Sequence, residues 1–484
     1  MYLKYGFMFI LMTLGLNLTA YDEYYTTQSD DSQIAQEYVE ALVKRRTQEQ
    51  QKKIKDLEER LDELEDSMEK VETRSLVDKI SFGLNFSTAV NGYDKKYADG
   101  HKVKSKNLYT TKLMLNMKSK ITENMIFHGR LSMYKYWADS TVHMYAMFDS
   151  MQGRVPHDST LFVERAFVDW RFTDKDAFMP SVLTIGRQPS SDGPSHQFKA
   201  NTSRKATYSA LVFDGASDGI VLTSSLKNVI PIKGAKLRLA YGKGFQNDET
   251  SNAVTNAFIG ADNSLKDTDV YGLFLESNLF GQDNTLFQVG VATMKNIIAN
   301  ALDTNSSANK NIGDVTFAGM MFEGTNIKDS GFDIFAHFAY SDAKPSDAVY
   351  EYEGRDYSLL GDGSDFSSKD ATAFWIGGRY TIDEYNKFGM EYNQAGRYWV
   401  TATQGAFDLV NKLATRGKAF ETYYIHSINR YSFFKLGGMY VDYDYTGSGW
   451  FLGEPKSMDS LSGDSAKQNI KNLKNVYLQF GLNY

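Results

Sequence analysis

From residue 54 to residue 71 the apolar positions of this chain recur every three or four residues: Ile54, Leu57, Leu61, Leu64, Met68 and Val71. Alternating spacings of three and four draw one narrow stripe along a helix, the a/d seam of a coiled coil, which a lone helix cannot bury. Lys53 with Glu58, and Arg60 with Glu65, fill the flanking g and e positions with opposite charges, as a parallel oligomer requires. Upstream, Ile34, Tyr38, Val39, Leu42 and Val43 keep a helical spacing, while Thr47 and Gln50 interrupt the seam. The competing reading is a solvated, charged helix packed on its own chain. A seam this short is marginal in isolation, so its stability has to come from a body that is already oligomeric.

After Asp78 the period changes to two. Ile80, Phe82, Leu84 and Phe86 alternate with Ser81, Gly83, Asn85 and Ser87, and Leu113, Leu115 and Met117 alternate with Lys112, Asn116 and Lys118. The end of the chain does the same, with Val476, Leu478, Phe480, Leu482 and Tyr484 against Tyr477, Gln479, Gly481 and Asn483. Such strands carry one apolar face and one polar or small face. The pattern predicts about sixteen strands, the first eight near 79–90, 107–121, 125–137, 160–172, 181–188, 214–226, 235–245 and 268–279. The other eight lie near 285–296, 313–323, 331–341, 370–381, 385–397, 419–429, 430–444 and 474–484.

Long polar connections alternate with short turns such as Thr122-Glu123-Asn124 and Gly281-Gln282-Asp283-Asn284. This rhythm belongs to an up-and-down antiparallel barrel, with short turns at one rim and long loops at the other. About sixteen strands enclose a lumen too wide for side chains to fill. An apolar inner face would then have nothing to pack against, so the apolar face is expected outside. A closed sheet also satisfies every backbone group in lipid. The expected fold is therefore an all-β transmembrane antiparallel barrel over 79–484, preceded by a helical, coiled-coil segment over 21–78. An even strand count leaves both ends of the barrel on one side, expected to be the periplasm of a Gram-negative bacterium.

Composition adds a few constraints. Met1 to Lys4, the apolar run Phe7–Leu18 and Thr19-Ala20 before Tyr21-Asp22-Glu23 describe a signal peptide over 1–20, although Leu18 is larger than the residue usual there. No later stretch approaches eighteen apolar residues, so a transmembrane helix is not expected. The chain has 0 cysteines, which excludes disulfides and thiolate chemistry. A net charge of -7 argues against nucleic acid as a partner. Aromatics make up 14% of the chain at a mean hydropathy of -0.42, which suits alternating strands with aromatic girdles.

Some segments carry a resemblance. Val163-Glu164-Arg165-Ala166-Phe167-Val168-Asp169-Trp170 and Leu183-Thr184-Ile185-Gly186-Arg187-Gln188-Pro189 resemble the paired strands before the third loop of general and phosphate-selective porins. Asp192-Gly193-Pro194, Thr207-Tyr208-Ser209-Ala210-Leu211-Val212-Phe213-Asp214 and Asp218-Gly219-Ile220 are similar to an uncharacterised porin-like outer-membrane family of Campylobacterota with a coiled-coil leader. The resemblance implies a barrel and a third loop, near 189–213, that folds inward as a constriction. It implies no substrate. The terminal Tyr484 resembles the aromatic end of a barrel-assembly signal, which implies the barrel-assembly machinery as a partner during biogenesis.

The constriction loop carries His196, Lys199, Arg204 and Lys205 against Asp192. Inward wall positions add Lys112, Arg130, Arg165, Arg171, Arg238, Arg379, Lys387 and Lys435, with Asp169, Glu276 and Glu391 as the chief acids. Like charges along an aqueous pore set the sign of the permeating ion, which gives a lean toward anions. Pairing of these charges with one another, merely hydrating the lumen, is the bland alternative. Ser195 and His196 beside Asp192 hold the residue types of a catalytic triad, but sequence adjacency is no triad geometry. The 7 histidines form no ligand pair, so neither metal nor cofactor is expected. These features favour a non-enzymatic porin for small solutes or ions, set in outer-membrane lipid and assembled as a homotrimer through barrel wall and coiled coil. A structural or adhesive barrel acting through its long loops is the first alternative, and an outer-membrane hydrolase the second.

Overall fold

The computed structural model describes residues 31–105, 107–137, 156, 159–189, 191–246, 250–252, 257–259, 265–299, 310–352, 355–403 and 407–484. The expected signal peptide lies outside the described residues. The chain forms two units, 1–78 and 79–484. In the first, helix α1 (Asp31–Lys79) is one continuous run. Its side chains are described over 39–63, where Ile54, Leu57 and Leu61 stand exposed along the expected seam.

The second unit is a closed barrel. Its strands are β1 (Ile80–Tyr97), β2 (Leu108–Thr122), β3 (Met125–Tyr136), β4 (Phe162–Arg171), β5 (Ser181–Pro189), β6 (Ala216–Ser225), β7 (Lys236–Phe245) and β8 (Thr268–Ser277). There follow β9 (Thr285–Ala299), β10 (Lys310–Gly324), β11 (Phe332–Pro345), β12 (Lys369–Thr381), β13 (Asn386–Ala395), β14 (Gly417–Ser427), β15 (Ser432–Tyr443) and β16 (Ile470–Asn483). Each pairs antiparallel with the next, and β16 closes on β1 from Asn85↔Asn483 onward. These are the sixteen strands that the alternation predicts. The reason is simple: an apolar solvent outside imposes the same period on every strand, whatever its neighbours.

Strand β11 shows the two faces. Phe332, Ile334, Phe338 and Tyr340 are exposed outward, while Asp333, Phe335, His337, Ala339 and Ser341 are buried inward. On β15 and β16, Phe434, Leu436, Val476 and Leu478 continue the outer apolar surface. Exposed aromatic pairs mark both rims. Phe332 and Tyr380 (4.5 Å between ring centres) and Tyr431 and Tyr484 (5.3 Å) lie at the short-turn rim. Tyr109 and Trp137 (4.7 Å) and Tyr241 and Tyr271 (5.4 Å) lie toward the long loops.

The inner face departs from expectation. Along β10–β12 it is largely apolar: Ile312, Val315, Phe317, Phe335, Ala339 and Trp375 are all buried there. They pack on Phe198, Leu211 and Val212 from segment 191–215 and on Trp399, Val400 and Leu413 from segment 396–416. The width argument holds only for an empty lumen. Here two loops fold into it and supply the partners.

Candidate functional site

Segment 191–215 crosses the lumen. Asp192 takes a left-handed backbone, Pro194 follows, and the five-residue helix α2 (His196–Ala200) stops at Asn201, also left-handed. The loop is then tied to the wall around the barrel. On the β3–β4 side, Arg130 pairs with Asp192 at 3.1 Å, and Arg165 donates to the Lys205 and Ser191 carbonyls at 2.9 and 2.8 Å. Opposite, Ser195 and Gln197 each donate to the Glu323 carboxylate at 2.7 Å, and His337 sits between Ser195 (3.2 Å) and Ser209 (2.6 Å). Arg379 donates to the Phe198 carbonyl at 3.0 Å, and Lys387 to Asn201 at 2.9 Å. Lys435 reaches the Lys199 carbonyl at 3.3 Å, and Lys205 reaches Asn85 at 2.5 Å.

A β-bulge makes one of these anchors. The register slips between Arg130 and Leu131, so that Arg130 faces Arg165 and Leu131 faces Val163. The extra residue on β4 lets both Glu164 and Arg165 turn inward. Glu164 is fully buried and binds Arg130, Ser132 and Ser191. Strict alternation sends Glu164 outward, which is why the sequence pattern misses it.

The second inward loop, 396–416, was expected as an outer loop. Trp399 Nε1 donates to the Leu413 carbonyl at 2.9 Å, and Thr401 Oγ1 to the Leu211 carbonyl at 2.7 Å. Lys412 is buried between Glu391 and Glu421. Trp399, Val400, Phe407, Leu409, Val410 and Leu413 make this segment too apolar for a solvated loop, and that was the legible signal.

Two polar cavities border β1, β2, β15 and β16. A cavity of about 100 Å³ is bordered by Asn85, Lys112, Asp192, Lys199, Lys205 and Lys435. A second, of about 90 Å³, shares Lys112, Lys199 and Lys435 with it and continues past Asn91, Thr110 and Asn475 toward the long-loop rim. Near that rim a space of about 800 Å³ lies among Arg416, Tyr445, Trp450 and Lys456. Inner-face glycines keep the wall thin here: Gly437 has no Cβ where the Tyr477 ring lies flat across it.

The charged residues divide. Lys112, Asp192, His196, Lys199, Lys205 and Lys435 meet at one cavity. Arg238 is held by Glu276 at 2.8 Å, Arg379 by Asp333 at 2.7 Å, and Asp169 by Thr184 (2.5 Å) and His128 (3.2 Å). Arg204 is exposed and borders a different cavity with Glu276 and Glu323, and Arg171 ends β4 beside the turn to β5. Burial pushes the Lys205 ammonium down to about 8, with Asp192 opposing and Arg130, Lys112 and Arg165 reinforcing the shift. Burial alone would raise the Asp192 carboxyl, but Arg130, Lys112, Lys205 and Arg165 hold it well below the usual range. Burial would lower Lys199, yet Asp408, Glu421 and Glu391 drive it above the ordinary lysine value.

The catalytic residue types do not assemble. Asp192 pairs with Arg130, His196 pairs with Asp214 at 3.3 Å, and Ser195 is fully buried against Glu323 and His337. That polar knot anchors the loop, and its serine has no path to a substrate.

Residues 102–484 match the profile of a family described as "Protein of unknown function (DUF3373)". No curated protein matches the chain. Among solved structures it is similar to the high-pH structure of Pseudomonas putida OprB, at 11% identity and a TM-score of 0.49, covering 85% of this chain and 96% of that one. It is also similar to Salmonella typhi OmpF in complex with daunomycin, at 9% identity and a TM-score of 0.44, covering 84% and 98%.

Proposed function

The chain belongs to the DUF3373 family, and we propose that it is an outer-membrane porin through which small hydrophilic solutes diffuse passively. One observation carries this reading. A loop crosses the inside of a closed sixteen-strand barrel, packs against one side and borders polar cavities along the other. An apolar outer belt with aromatic pairs at both rims suits lipid, and the closed sheet leaves no unpaired edge to it. Segment 191–215 acts as the constriction. The side chains of Lys112, Lys199, Lys205 and Lys435 around the narrow cavity, against Asp192, Asp214 and Asp408, favour anions. Helix α1, with Ile54, Leu57 and Leu61 unburied, supplies a seam for in-register copies in a homotrimer, on the periplasmic side where both barrel ends also lie. Residues 1–20 serve as an export signal, removed before assembly.

The test is recording in a planar bilayer under a potassium chloride gradient. Stepwise conductance with a reversal potential on the anion-selective side is expected. Well-folded protein without conductance would overturn the porin reading, and a cation-selective reversal would overturn the preference alone.

A further inference from the structure

The cavity beneath segment 191–215 has a charge balance that a plain water-filled constriction does not require. Its carboxylates are each engaged by a particular partner: Asp192 by Arg130 at 3.1 Å, Asp408 by Lys199 at 2.7 Å, and Asp214 by the His196 ring at 3.3 Å. Glu421, beside them, is bound by Lys412 at 2.5 Å. Three ammonium groups on the same cavity are left without a carboxylate partner among the described residues: Lys112, Lys205 and Lys435. Each is steadied by a neutral group instead. Lys205 donates to the Asn85 amide oxygen at 2.5 Å, Lys435 to the Lys199 carbonyl at 3.3 Å, and Lys112 lies 4.9 Å from the Phe407 ring centre.

Resting on the porin reading, we infer that this cavity is a binding site for a small oxyanion of more than one negative charge, held between Lys205 on the loop and Lys112 and Lys435 on the wall. Three cations gathered in a water-poor space repel one another, and a multiply charged anion relieves that repulsion where chloride does so less. Charge-assisted hydrogen bonds from ammonium to carboxylate or phosphate oxygens are stronger than neutral ones. The Gln479 amide, which also borders the cavity, has no hydrogen-bond partner among the described residues and adds a donor. A volume of about 100 Å³ accepts a group of a few heavy atoms and excludes an oligosaccharide. The wall and the loop contribute separately, so the site exists only while segment 191–215 is docked.

The experiment uses full-length protein in a planar bilayer carrying chloride current, with inorganic phosphate or succinate added to one side. Each is expected to reduce the current in a saturable, concentration-dependent way. The triple variant Lys112→Gln, Lys205→Gln, Lys435→Gln should raise the half-blocking concentration at least tenfold, read as the fraction of the variant's own unblocked current. Block by phosphate alone or by succinate alone supports the site and assigns its ligand. Intact conductance with neither blocking overturns the site, as does unchanged block in the triple variant. Absence of any conductance overturns the porin reading instead. Should the triple variant not fold, Lys205→Gln, which alters no strand, gives the same answer with a smaller shift.

Discussion

The two sides of the lumen are built from strands that look alike from outside and unlike from within. Along β10–β12 the inward residues include Val315, Phe317, Phe335, Ala339 and Trp375, packed under two loops into an apolar core. Along β1, β2, β15 and β16 they are Asn85, Ser87, Lys112, Lys435 and Gln479, and they border a cavity. The outer face repeats one exposed apolar pattern from strand to strand. The inner face is dictated by whatever the loops bring to it. A wide barrel can thus pack one side of its lumen as a protein core and use that core to hold a loop against the other side.

The packed side can be broken most directly at its ion cluster. Lys412→Ala leaves Glu391 and Glu421 facing each other without their shared cation. Unpairing a buried charge of this kind costs about 3–5 kcal/mol. Segment 396–416 should then become protease-sensitive while the barrel keeps its strand content by circular dichroism. Phe198→Ala attacks the same side from the other loop. Phe198 is 1% exposed and stacks on Phe335 at 5.9 Å, and loss of such a buried ring costs about 3 kcal/mol or more. Single-channel records of this variant should show larger and noisier steps, because the constriction has lost its apolar anchor.

The open side responds to charge. Lys205 carries its proton below about pH 8 and loses it above. Raising the pH from 6 to 9.5 therefore removes positive charge from the cavity, and the anion-selective reversal potential should shrink. A preference that grew with pH would contradict the assignment. The smallest effect is expected in the other unit, where Arg45 and Glu49 form an exposed pair at 3.5 Å on α1. Arg45→Gln should change stability by less than about 0.5 kcal/mol and leave conductance unaltered.

The strands were legible because Phe332, Ile334 and Phe338, like their counterparts on every strand, answer to one solvent. The site was legible in part. Lys112, Lys199, Lys205 and Lys435 could be placed inward from alternation and loop order, and they do meet at one cavity. Which charges stay unpaired could not be read, because it depends on contacts across the barrel. Arg130, Arg238 and Arg379 looked equivalent to those lysines in sequence, yet Glu164, Glu276 and Asp333 hold them. Glu164 was hidden by a bulge that breaks the period, and segment 396–416 by its length and position as an ordinary connection.

The absence of native cysteine allows the division of the lumen to be tested one position at a time. Gln479→Cys on the open side and Ser341→Cys on the packed side, each treated with a charged thiol reagent during bilayer recording, give the most direct measurement. The open-side variant should show a stepwise fall in conductance on labelling and the packed-side variant none. Block through Ser341→Cys, or conductance indifferent to labelling at Gln479→Cys, would contradict the path proposed here.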